Sequence, residues 1–276
     1  MDIFQSIIIG TVEGFTEFLP ISSTGHMIVV SDFLKIVQDD AFKAYEVIIQ
    51  FAAILAVMVI YRDKLTFKEK DLWSKVLVAF VPLLIVGFIL KDWVKTLFDP
   101  HLVAIMFIVG GVAFLIIEYF YDENKCRVKD IEQFSYKDAL LTGLFQLLSL
   151  IPGTSRAGAT IAGDLIIGIN RKAAAEFSFL LAIPVMGAVS SYDLLKHHHE
   201  LMQGNVTAYI VGFVVAFIVA YITIKLFLSF ISKFSFVPFG IYRILFGAFL
   251  LYYYAWGRRV KDMKFFMLLL SYTPKK

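Results

Sequence analysis

The sequence predicts an all-α integral membrane protein with about six transmembrane helices and two re-entrant helical hairpins in an inverted repeat. Three observations carry this expectation: an apolar composition, six long apolar segments, and two shorter apolar stretches broken in the same way. The 276 residues are 59% hydrophobic and only 18% charged, against roughly 45–50% and about 25% in soluble domains. A mean hydropathy of +0.76 leaves more apolar surface than one aqueous core can hide, so lipid must serve as part of the solvent. The 28 Phe and 13 Tyr suit a bilayer and its interfaces.

Spanning helices need about 20 mostly apolar residues. Segments near 46–61, 76–90, 101–121, 173–192, 206–228 and 237–256 qualify, separated by charged connectors such as Arg62–Lys75 and Asp122–Lys137. Two other stretches do not. Residues 3–12 run into Glu13, Glu17, Pro20 and the polar Ser22–His26, then resume at 27–37. Residues 138–151 run into Pro152, Gly153, Thr154, Ser155 and Arg156, then resume at 158–169. Irregular backbone at membrane depth is tolerated only when buried in protein or lining a wet cavity, so both stretches read as re-entrant hairpins.

The whole chain reads as one membrane domain with two copies of one pattern, 1–121 and 131–256, and a basic tail at 257–276. Pro20-Ile-Ser-Ser aligns with Pro152-Gly-Thr-Ser at an offset of 132 (152 − 20), and Asp32 then meets Asp164. Each half holds one hairpin and three spans; three is odd, so the second copy enters from the opposite side. Connector charge orients the chain. Arg62, Lys64, Lys68, Lys70, Lys75, Lys125, Arg127, Lys129, Lys137, Arg171, Lys172 and Lys233 mark a cytoplasmic side, which leaves both termini outside. The tail residues Arg258, Arg259, Lys261 and Lys264 argue the other way.

Charge and cysteine use exclude other classes. A net charge of +3, scattered over connectors, offers no face that tracks phosphates, so no nucleic-acid partner is expected. Cys126 is the only cysteine, which rules out an internal disulfide and a cysteine metal site. Acidic residues stand where a signal peptide carries basic ones, so insertion without cleavage is expected. His197-His198-His199 reads as a solvated connector.

Candidate chemistry gathers at the two breaks. Glu13 and Glu17 are spaced i, i+4 and share one helix face. In a low-dielectric setting such a pair repels unless a proton or cation intervenes, which suggests an oxygen-ligated divalent metal, Mg²⁺ or Ca²⁺. The alternative is an amphipathic surface helix with both acids in water. Ser22, Ser23, Thr24, Gly25 and His26 crowd hydroxyls and an imidazole where a serine nucleophile with a histidine base could form, or where they serve as a helix cap. Arg156 in an apolar turn needs an anion, and its fork suits phosphate; a salt bridge to Glu13 or Glu17 is the structural alternative. Thr154, Ser155, Gly158 and Thr160 offer donors around it. Glu46, Gln50, Gln146 and Glu176 read as interhelical hydrogen-bonding groups. Carboxylates, hydroxyls, histidine and arginine at membrane depth describe phosphoryl chemistry on an amphiphile.

Glu13-Gly-Phe-Thr-Glu17-Phe-Leu-Pro-Ile-Ser-Ser-Thr-Gly-His26 and Pro152-Gly-Thr-Ser-Arg-Ala-Gly-Ala-Thr160 resemble the two signature motifs of the bacterial undecaprenyl-diphosphate phosphatase, or bacitracin-resistance, family. Val237-Pro-Phe-Gly-Ile-Tyr-Arg243 is also similar. The resemblance covers about residues 1–255. It implies hydrolysis of undecaprenyl diphosphate to undecaprenyl phosphate and inorganic phosphate, which recycles the lipid carrier for peptidoglycan synthesis. It further implies a divalent metal and an active site opening outward from the plasma membrane. By position, Glu13 and Glu17 hold metal or activate the nucleophile, Ser23 and His26 are nucleophile and acid/base candidates, and Arg156 grips the diphosphate with Ser155 and Thr160. The family's serine after the motif arginine is replaced by Ala157, so one phosphate donor is expected to be missing.

A rival from another class is a polyprenyl-phosphate flippase or transporter, since inverted repeats with broken helices suit alternating access. Such a protein needs neither a paired-acid metal site nor an activated hydroxyl. The partners expected are a polyprenyl diphosphate and membrane lipids, with a homodimer left open.

Overall fold

A computed structural model describes residues 1–196 and 205–271, so the His197–His199 connector lies outside the described residues. Ten α-helices are described: α1 Ile3–Thr16, α2 Ser23–Phe33, α3 Asp40–Ile60, α4 Lys70–Thr96, α5 Pro100–Phe120, α6 Tyr136–Gln146, α7 Arg156–Ile166, α8 Arg171–Lys196, α9 Val206–Ile231 and α10 Val237–Ser271. No strand occurs among the described residues; an isolated bridge joins Val128 to Ile169. Six helices are long and apolar enough to cross a membrane: α3, α4, α5, α8, α9 and α10.

Local sequence sets the starts. Asp2 caps α1 in a capping box with Gln5, and Ser135 caps α6 in one with Asp138. Asp99 caps α5 ahead of Pro100, whose missing N–H costs nothing in a first turn. The spans exceed their apolar runs because polar first and last turns stay helical: α4 begins at Lys70 and passes Lys91 and Asp92. Helix α10 likewise continues through the segment read as a tail, to Ser271.

The breaks fall elsewhere than the sequence predicts. Helix α2 starts at Ser23 and α7 at Arg156, so the hydroxyl motif and the arginine sit in first turns and not in loops ahead of them. The free N–H groups of a first turn are what such polar side chains accompany best. Helices α1 and α2 span 14 and 11 residues, the longer only about 21 Å at 1.5 Å per residue. Neither can cross a bilayer core alone.

The packing is reciprocal. Helix α1 lies along α9 and α6 along α4, while α3 meets α8 and α5 meets α10. Each short first helix therefore packs on a long helix of the other half. Equivalent glycines permit both approaches: a Cβ on Gly10 would stand 2.6 Å from the Gly212 carbonyl oxygen, and one on Gly143 would collide with the Ala79 carbonyl. Both pairs are 133 residues apart (143 − 10 and 212 − 79). Small residues at such crossings let backbones pack where apolar burial gives no drive. Gly10→Ala is expected to lower the thermal unfolding temperature in detergent, since overpacking costs about 1–3 kcal/mol; an unchanged melt would show that the crossing has slack.

Candidate active site

Helix α1 stops at Thr16, and Glu17 forms its C-cap. The chain then passes the buried Phe18, Leu19, Pro20 and Ile21 before turning at Ser22, which holds φ 68°. The second break runs through a 3₁₀ turn at Leu147–Leu150 to Gly153 (φ 91°) and Ser155 (φ 72°). Gly153 is required on a second count, because a Cβ there would lie 2.6 Å from the Val103 carbonyl oxygen. Ser22 and Ser155 are thus matching left-handed N-caps, again 133 residues apart (155 − 22), one more than the offset between Pro20 and Pro152. A non-glycine residue in this region costs about 1–3 kcal/mol and persists where surrounding structure over-determines it, often at a functional site.

The two breaks share a cavity of about 380 Å³. Its polar lining includes Glu17, Ser22, Ser23, Thr24, Ser155 and Arg156, and its apolar lining includes Val94, Phe98, Val185, Met186 and Val189. Glu17 joins the breaks. Its Oε2 accepts from the Ser23 hydroxyl at 2.5 Å, and its Oε1 faces Arg156 Nη2 at 3.4 Å. Arg156 Nη1 donates to the Ser178 carbonyl at 3.0 Å, while Nε is buried with no partner. The guanidinium lies over the Phe18 ring. A hydroxyl, a carboxylate and a guanidinium therefore form one connected chain at the cavity wall, with the guanidinium using two of its five N–H donors.

Both acids are shielded from water. The side chain of Glu17 is 9% exposed and Glu13 is 1% exposed, so the amphipathic surface helix is excluded. Glu13 does not line the cavity; its Oε1 is buried without a partner, and Glu17, Glu46 and Arg156 are the charges acting on it. The salt bridge weighed as an alternative role for Arg156 exists, to Glu17, and it leaves Arg156 on the cavity wall.

Other expected residues stand apart from the cavity. His26 was expected beside Ser23 as its base; instead its Nδ1 meets the Ser22 carbonyl at 2.8 Å and its Nε2 the Tyr242 hydroxyl at 2.6 Å. The ring stacks on Phe246 at 4.4 Å. The residue in contact with the Ser23 hydroxyl is Glu17. Thr160 turns back into α7, bonding the Arg156 and Ala157 carbonyls and the Ser178 hydroxyl. Gly158 N–H donates to Ser155 Oγ, Thr154 Oγ1 is buried and unpaired, and Gly25 admits the Phe107 ring. Ala157 packs in the apolar core, so its missing hydroxyl takes no donor from the cavity wall. Tyr242 and Arg243 have no assigned role in the sequence motifs, although an arginine inside a span is itself a signal of function.

Fold and cavity define a multi-pass membrane protein whose paired helix breaks set an acid, a hydroxyl and a guanidinium against an apolar wall. The family follows from comparison: residues 6–249 match the model of the bacitracin resistance protein BacA family, and the chain belongs to it. It is 65% identical over 251 residues to an undecaprenyl-diphosphatase of Sulfurovum sp. (strain NBC37-1), covering 91% of this chain and 99% of that one. Undecaprenyl-diphosphatases of Sulfurimonas denitrificans and Methanococcus aeolicus are 57% and 50% identical, each over 92% of this chain and 100% and 99% of their own lengths.

Proposed function

We propose that this chain hydrolyses undecaprenyl diphosphate to undecaprenyl phosphate and inorganic phosphate in the plasma membrane, recycling the lipid carrier for peptidoglycan synthesis. The observation that carries this reading is the Ser23–Glu17–Arg156 chain on a cavity wall that is polar on one part and apolar on another. The names of the relatives support it. The diphosphate takes the polar wall. Arg156 holds its charge through the Nη N–H groups that Ser178 and Glu17 leave free, and the first turns of α2 and α7 add N–H groups suited to anions.

Glu17 takes the Ser23 proton as Ser23 Oγ attacks the terminal phosphorus in line. The bond from that phosphorus to the bridging oxygen breaks, and undecaprenyl phosphate leaves. Water then attacks the phosphoserine, releasing inorganic phosphate and returning the proton to Ser23. Little covalent work falls to the protein; positioning and charge stabilisation dominate such transfers. Glu13 and Glu17 would hold a divalent cation, Mg²⁺ or Ca²⁺: Glu13 Oε1 is buried with no partner, and the Arg156 guanidinium beside the pair sets a single positive charge against two acids. When bound, that ion supplies charge neutralisation for phosphate oxygens.

The broken helices enter the membrane as re-entrant hairpins of an inverted repeat, with the cavity opening to the outer side. Reciprocal packing of α1 on α9 and α6 on α4 supports the two-fold relation, and the basic short connectors support the orientation. Purified protein given undecaprenyl diphosphate is expected to release phosphate, to lose that activity with chelator, and to yield phosphoserine at Ser23 on rapid quench. Lipid movement without phosphate release would sink the enzyme reading.

A further inference from the structure

Arg243 is the largest side chain that is fully buried, and it lies in α10 at membrane depth with no acid balancing it among the described residues. Such a charge persists only if every donor is met. Here all five are. Nη1 donates to the Pro20 and Thr154 carbonyls, both at 2.9 Å. Nη2 donates to Met106 and Gly153 at 3.0 and 3.1 Å, and Nε to Phe107 at 3.3 Å. Pro20 belongs to the first break, Gly153 and Thr154 to the second, and Met106 and Phe107 to α5. One guanidinium thus ties both breaks to one long helix.

Its partners explain the need. Pro20 stands two residues before the strained Ser22 and three before Ser23; Gly153 and Thr154 lead directly into Ser155 and Arg156. A carbonyl bound to a fixed charge cannot rotate freely, so the peptide planes that aim Ser23 and Arg156 are held from one point. The seat is shaped for the guanidinium: a Cβ on Gly110 would run into its Nη2 and Cζ. Next to it in sequence, Tyr242 hydrogen-bonds His26, which holds the Ser22 carbonyl.

We propose that Arg243 is a positioning residue for phosphate release, setting the mutual register of the two breaks without touching substrate. The proposal rests on the function proposed above. Lysine cannot replace it, since one ammonium has three donors and no fork.

The test compares wild type, Arg243→Gln, Arg243→Lys and Gly110→Ala as purified full chains. It reads kcat and KM for undecaprenyl diphosphate, thermal unfolding, and hydrogen exchange at residues 17–24 and 150–156. Arg243→Gln is expected to lower kcat about a hundredfold, the scale of a misplacement near 1 Å, with a smaller change in KM. Exchange should rise at both segments together, and Arg243→Lys should restore only part of kcat. A folded Arg243→Gln with near-normal kcat, or with exchange raised at one segment alone, overturns the proposal. Should Arg243→Gln not fold, Gly110→Ala decides, because it keeps the charge but displaces the guanidinium. Normal kcat and normal exchange in Gly110→Ala would then overturn it. Absence of phosphate release from wild type would count against the proposed function, while the paired exchange response would still report on the tie.

Discussion

Glu17→Gln is expected to reduce kcat for phosphate release by about a thousandfold, the middle of the range for losing a positioned acid–base group. The substitution preserves volume and still offers Ser23 an amide oxygen at the position where Oε2 now accepts at 2.5 Å. It removes proton affinity, which the attack of a hydroxyl on phosphorus requires. It also removes the negative charge facing Arg156 at 3.4 Å, freeing the guanidinium for the diphosphate. The first consequence acts on the chemical step and the second on binding, so KM should fall or hold while kcat collapses. A residue that only anchored Arg156 would leave kcat intact and change KM alone. Steady-state kinetics over a range of lipid concentration separates the cases, and a kcat within about tenfold of wild type would remove Glu17 from the proton-transfer role.

The six spans were legible because apolar length is a one-dimensional property. Their ends were less so, since the polar turns Lys70–Lys75 and Lys91–Thr96 continue α4 past its apolar stretch. The two breaks show in proline, glycine and hydroxyl residues, yet α2 starts four residues before its apolar run because a polar first turn reads as loop. Side-chain direction was the harder quantity. Ser23 meets Glu17, the C-cap of α1, while His26, on the same helix as Ser23, turns to the Ser22 carbonyl and the Tyr242 hydroxyl. No periodicity encodes those pairings. His26 finds Tyr242 216 residues along the chain, and Arg243 reaches Pro20 223 residues away. Ala157 was read as a lost phosphate donor because it follows the arginine, whereas one step along a helix rotates a side chain by about 100°, here into the core.

Arg156→Ala carries the second large expectation, and its two effects can be pulled apart. The guanidinium is the cation beside Glu17 on a wall where Glu13 lies close enough to act on it electrostatically. Removing one partner of a buried pair leaves the other uncompensated, at a cost of about 3–5 kcal/mol. Losing the group that meets the developing phosphate charge should lower kcat/KM by about a thousandfold. Arg156→Lys keeps the charge but has no planar fork to span the Ser178 carbonyl and Glu17 while facing the phosphate, so it should fold well and remain poorly active. The double variant Glu17→Gln/Arg156→Ala removes both charges at once. Contacting residues couple, so its unfolding temperature should recover toward wild type while phosphate release stays lost. Recovery of both together would mean that Arg156 serves the fold alone, and no recovery of stability would mean that Glu17 was not the charge it balanced.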